Sequence, residues 1–137
     1  MVNFERKETY SLQDLIEILR ILRAPGGCPW DRAQTHLSDR RNFLEEAYEA
    51  AEAFDRDDPA LMCEELGDML FAAVRVASTL ERDPEQALHA ACEKFIRRFT
   101  AMEQTALAEG RPLETLSKDE LLAGWNAQKR VVPGGEQ

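Results

Sequence analysis

Phe43-Leu44-Glu45-Glu46-Ala47-Tyr48-Glu49-Ala50-Ala51, followed further along by Glu65-Leu66-Gly67-Asp68, decides how this chain is read. Both pieces lie in the stretch from Phe43 to Leu80, which has helical periodicity, so residues three or four apart share a face. At about 100° per residue, Phe43, Ala47, Ala50, Ala51 and Phe54 form one apolar arc, with Glu46 and Glu49 just off its edge. In the second piece the arc holds Met62, Met69, Ala72, Val76 and Leu80, and Glu65 falls inside it. An unpaired carboxylate on a core-facing stripe costs several kcal/mol, so Glu65 needs a proton, a cation or a metal. Two antiparallel helices, each offering carboxylates at i and i+3, make an oxygen-only cage that suits hard Mg²⁺ or Mn²⁺. The opposing reading is a solvated acidic face. It is as good as the functional one for Glu45 and Glu52, and it fits Glu65, inside an apolar stripe and three residues from Asp68, poorly.

Length and composition bound the rest. At 137 residues the chain is expected to form one domain over 1–137, with a core at about 11–129 and a frayed tail at 131–137. Gly (7) and Pro (6) are sparse and the periodic segments all read as helix, so the expected fold class is all-α, a bundle of about five helices. A net charge of −9 disfavours general binding to nucleic-acid backbones, which takes basic patches. It leaves room for a phosphate substrate, because bound divalent ions reverse the local sign. Cys28, Cys63 and Cys92 form no CxxC pair and leave an odd count. With no signal-peptide pattern, they point to a reduced, cytoplasmic protein. No apolar run approaches the ~18 residues of a membrane span.

The start and stop signals place the other elements. Ser11 is a plausible N-cap for a helix from Leu12 to about Arg23, stopped by Pro25-Gly26-Gly27. A loop, Cys28-Pro29-Trp30-Asp31, follows, and Ser38 or Asp39 is expected to cap the first acidic helix, which runs to about Asp55. Asp58-Pro59 opens the second acidic helix, reaching about Leu80, and Asp83-Pro84-Glu85 opens a long helix closed by Gly110. Ser117-x-x-Glu120 is a capping-box pattern ahead of a short helix carrying Leu121, Leu122 and Trp125.

Gly27-Cys28-Pro29-Trp30-Asp31-x-x-Gln34-Thr35-His36, Leu44-Glu45-Glu46-Ala47-Tyr48-Glu49, Glu64-Glu65-Leu66-Gly67-Asp68 and Lys94-Phe95-Ile96-Arg97-Arg98-Phe99 together resemble the MazG family. The resemblance covers roughly Ser11 to Lys129, with the four motifs in the family's order. It implies a helical fold that usually dimerises and a Mg²⁺-dependent cleavage of NTP or dNTP to monophosphate and pyrophosphate. It also implies metal ligation by Glu46, Glu49, Glu65 and Asp68, with Glu45 as a helper or base for water. One departure is Cys92, two positions before Lys94, where the family pattern favours Asn; base preference is open at that point.

The remaining candidates each have a bland reading. Lys94, Arg97 and Arg98 fall on successive turns of one helix, as a solvated face or as a grip on the β- and γ-phosphates. Trp30 either plugs a core edge or offers its face to a base. Trp125 and Lys129, four apart, are either packing plus a surface lysine or a closure over the nucleotide. His36 reads as a loop or capping residue. The implied mechanism is attack of a metal-activated water on the α-phosphorus. A di-iron carboxylate bundle lacks its Glu-x-x-His pairs, because neither His36 nor His89 is so placed. A non-catalytic helical module that binds nucleotide or metal is the alternative. The helix from Asp58 to Leu80 is apolar nearly all round through Leu66, Leu70, Phe71, Ala73, Val74 and Ala77. Its excess apolar surface predicts a homodimer or a higher even oligomer.

Overall fold

The caps written into the sequence set where the helices begin. In the computed structural model, which describes residues 2–131, Ser11 caps α1 (Leu12–Arg23) through a capping box with Asp14. The segment read as a loop is a five-residue helix, α2 (Pro29–Ala33), with Pro29 at its first position, where no backbone N–H is needed. The first acidic helix, α3 (His36–Asp55), starts earlier than expected. Its N-cap is Thr35, whose hydroxyl accepts from Ser38 N at 3.3 Å while Thr35 N donates to Ser38 Oγ at 2.9 Å. Ser38 is thus the third helical residue of a reciprocal box, and neither it nor Asp39 is the cap. His36 becomes the first helical residue.

Asp58 caps α4 (Pro59–Thr79), its Oδ1 accepting from the backbone N–H of Ala60 and Leu61. α5 spans Pro84–Ala108, a 3₁₀ turn spans Leu113–Thr115, and α6 spans Lys118–Val131. The fold is all-α, with six α-helices and no strand among the described residues. Val131 still belongs to α6; the rest of the stretch read as a frayed tail lies outside the described residues. No described helix is long and apolar enough to cross a membrane.

The chain divides between Pro84 and Glu85 into two compact units. In the first, α3 and α4 pack along each other and α1 rests on α4. Their seam is built from small residues, Ala50 and Ala53 on α3 and Ala72 on α4, all buried, which lets two helix axes approach closely. Leu19 of α1, 1% exposed, closes that core with Val74. Val74 is therefore intramolecular core, while Leu66 and Leu70 on the same helix are exposed. Where α1 ends, Gly27 is obligatory: a Cβ there would collide with the Leu22 carbonyl oxygen.

In the second unit α5 ends at Gly110, which takes a left-handed φ of 71° while Arg111 N reaches back to Ala106 O at 2.9 Å. Ser117 and Glu120 then form the expected box. Ser117 N donates to Glu120 Oε2 at 2.9 Å, and Arg111 Nη2 pairs with Glu120 Oε1 at 2.6 Å. α6 meets α5 through Trp125 on Phe95, ring centroids 5.2 Å apart, and through Gly124 opposite Met102.

Candidate functional site

α3 and α4 form a hairpin about the turn Arg56–Asp58, with Asp57 at a left-handed φ of 52°. An antiparallel pair brings residues equally far from the turn level with each other. Glu49 and Glu65 are each eight residues from Asp57, and Glu46 and Asp68 are each eleven. The two i,i+3 carboxylate pairs are therefore in register across the seam. One carboxylate oxygen from each of Glu46, Glu49 and Glu65 lies within 4.8 Å of the others.

The electrostatics follow the same register. The Glu65 carboxyl is pushed above its ordinary value, first by desolvation and next by the charge of Glu49. Glu46 is likewise raised, first by desolvation and next by the charge of Asp68. A hydrogen bond from Asn42 Nδ2 to Glu46 Oε1 at 3.3 Å acts against this on Glu46. Three carboxylate oxygens gathered this closely, two of them on groups pushed toward the neutral form, are a donor set that fits a hard divalent cation.

Two of the five acidic positions stand apart from this trio. Asp68 is exposed and outside the 4.8 Å group, although its charge reaches both Glu46 and Glu65. Glu45 is exposed and accepts from Arg41 Nε at 2.9 Å, one turn back on α3.

Trp30 is no core plug, being 58% exposed. Arg75 of α4 sits over its ring at 5.4 Å from the centroid, over Phe71 at 5.5 Å, and 3.7 Å from the buried Asp31. Arg23 Nη1 donates to Asp31 O at 2.6 Å, so α2 is held from two sides. Asn42 and Arg75 escaped the sequence reading. Asn42 carries an i,i+4 signal to Glu46, and Arg75 is the one charge between Val74 and Val76 on an apolar helix.

In the second unit Lys94 is half-buried and Arg97 exposed on α5, three residues apart, and Arg98 is half-buried. Trp125 is half-buried against Phe95, and Lys129 is exposed one turn further along α6.

The MazG nucleotide pyrophosphohydrolase domain matches residues 34–102, a span holding all five acidic positions and Lys94, Arg97 and Arg98. Among similar proteins is YabN of Bacillus subtilis (strain 168), described as uncharacterized. It is 33% identical over 118 residues, 83% of this chain and 23% of that protein. The nucleoside triphosphate pyrophosphohydrolase/pyrophosphatase MazG of Thermotoga maritima is 42% identical over 90 residues, 63% of this chain and 35% of that protein. The nucleoside triphosphate pyrophosphohydrolase of Escherichia coli (strain K12) is 32% identical over 120 residues, 84% of this chain and 43% of that protein. The chain thus spans less than half the length of these relatives. With a helical hairpin that puts ExxE against ExxD in register, and a family match over half its length, this chain belongs to the MazG nucleotide pyrophosphohydrolase domain family.

Proposed function

We propose that this protein hydrolyses nucleoside triphosphates, NTP or dNTP, to the monophosphate and pyrophosphate. The observation that carries the reading is the Glu46, Glu49 and Glu65 trio, three carboxylate oxygens within 4.8 Å on two packed helices. Relatives named as nucleoside triphosphate pyrophosphohydrolases support the substrate class. Mg²⁺, with Mn²⁺ as a substitute, is the ion this oxygen-only set suits, and Asp68 would complete the set from across the seam. When bound, such an ion supplies charge neutralisation for phosphate oxygens and activation of water.

The chain's own residues do the rest. Asn42 and Arg41 orient Glu46 and Glu45, and Glu45 is assigned to positioning the attacking water or accepting its proton as it reaches the α-phosphorus. The open face of Trp30, backed by Arg75, is assigned to the base. Lys94 and Arg97, and with a smaller share Arg98, are assigned to phosphate oxygens. Trp125 and Lys129 are assigned to closure over the nucleotide. The single-domain reading of residues 1–137 belongs to the same proposal, as does a cytoplasmic setting, to which three free cysteines are suited.

Homodimerisation, or a higher even assembly, is supported by Leu66 and Leu70, 45% and 65% exposed on α4. Light scattering should give twice the 15.6 kDa chain mass or an even multiple. A clean monomer that hydrolyses nucleotides sinks this part. The activity itself is tested by pyrophosphate release across the common NTPs and dNTPs with and without chelator. A pure protein that releases none with any nucleotide in Mg²⁺ or Mn²⁺ overturns the reading.

A further inference from the structure

A cavity of about 440 Å³ lies at the C-terminal ends of α1 and α4, and its polar wall is mostly arginine. Arg20 and Arg23 reach it from the last turn of α1, and Ser78, Glu81 and Arg82 from the end of α4. Along α4, Ser78 is thirteen residues beyond Glu65, about 20 Å at 1.5 Å per residue, so the cavity is remote from the carboxylate trio. Three guanidinium groups line this wall in a chain of net charge −9.

The protein satisfies these groups only in part. Arg20 spends Nε and Nη2 on Glu17, at 2.7 and 2.6 Å, which leaves Nη1. Arg23 spends Nη1 on the carbonyls of Asp31 and Gln34, which fixes its side chain and leaves Nε and Nη2. Arg82 has no side-chain hydrogen bond or ion pair among the described residues. Against these stand the carboxylates of Glu81 in the wall and Glu17 beside Arg20.

The backbone that presents Arg82 is itself specialised. Glu81 takes a left-handed φ of 53°, while Arg82 N reaches back to Ala77 O at 3.0 Å. This is the helix ending that Gly110 makes for α5, built here on a residue for which the left-handed conformation is costly. It sets Arg82 at the cavity instead of letting it trail along the helix.

We propose that this cavity is a second ligand site, taking a small phosphate-bearing anion on the free donors of Arg20, Arg23 and Arg82. Guanidinium forks match phosphate oxygens, Ile16 and Val74 give the site an apolar wall beside them, and the volume admits a diphosphate with room to spare. The inference does not depend on the proposed hydrolysis.

The test is calorimetric titration of the full chain at low salt with excess chelator, using inorganic pyrophosphate as the probe. Saturable one-site binding is expected, weakened by about tenfold or more in Arg82→Gln, where charged hydrogen bonds are lost. Glu81→Gln, which removes a like charge, should tighten it, and Glu49→Gln should leave it unchanged. Parallel titrations with ADP and AMP separate the sources: pyrophosphate alone identifies a free diphosphate, and ADP as well identifies a nucleotide's phosphate tail. Either supports the site. Absence of saturable binding, equal binding in Arg82→Gln, or its loss in Glu49→Gln overturns it.

Discussion

Glu65 on α4 and Glu120 on α6 are the same residue put to opposite use. Glu120 accepts from Ser117 N, Ser117 Oγ and Arg111 Nη2, and these bonds hold its carboxyl down at about 2. Glu65 faces Glu49 and Glu46, loses water and is pushed up. The first carboxylate completes a helix start and is satisfied by the fold. The second stores repulsion that the fold does not relieve. In a family whose members are named pyrophosphohydrolases, the unsatisfied group is the one to suspect of chemistry.

The comparison breaks most visibly at the charge itself. Glu49→Gln and Asp68→Asn keep shape and remove charge, so pyrophosphate release should fall on the order of 10²-fold or more, as when preorganised electrostatic groups are deleted elsewhere. Ser117→Ala should leave that rate within a factor of a few. A folded Glu49→Gln of full activity would refute the assignment of the trio.

Adding a divalent ion should relieve repulsion in one region and do nothing in the other. Binding only to the native state stabilises by about 2.7 kcal/mol at a hundredfold excess over Kd, seen as a rise in Tm with Mg²⁺. Glu65→Gln should raise the metal-free Tm and blunt the Mg²⁺ response. An unchanged Tm in Mg²⁺ would make the acidic face merely solvated.

Acid and base then separate the two carboxylates by sign. Glu46 and Glu65 have raised native values, so the native state binds their protons more tightly than the unfolded chain does. Metal-free stability should therefore decline as pH rises from about the ordinary 4.5, and Mg²⁺ should flatten that decline. Glu120 has a depressed value, so its contribution is present above the ordinary 4.5 and lost as pH falls toward about 2. Denaturant melts across that range check both signs: Glu65→Gln should shrink the first limb, which Glu46 shares, and Glu120→Gln the second.

The smallest effect belongs to the satisfied region. Ser117→Ala removes one cap hydroxyl and should cost about 1 kcal/mol of stability with no change in the Mg²⁺ response.

Helix identity, the ExxE and ExxD spacing and most boundaries were legible because they are local. Leu12–Arg23 follows from its cap and apolar spacing, and Pro59 and Pro84 announce their own helix starts. The α3 start was misplaced because Thr35, Ser38 and Asp39 are all capping residues, and only the reciprocal bond between Thr35 and Ser38 selects among them. Even the facing of Glu49 and Glu65 was latent in the sequence, since both are eight residues from Asp57. What required tertiary structure was every contact between elements far apart along the chain. Arg75 over Trp30, and the arginines of α1 and α4 around one cavity, depend on how helices pack. A helix's own periodicity says which face is apolar; which neighbour meets that face is set by packing, and no local pattern encodes it.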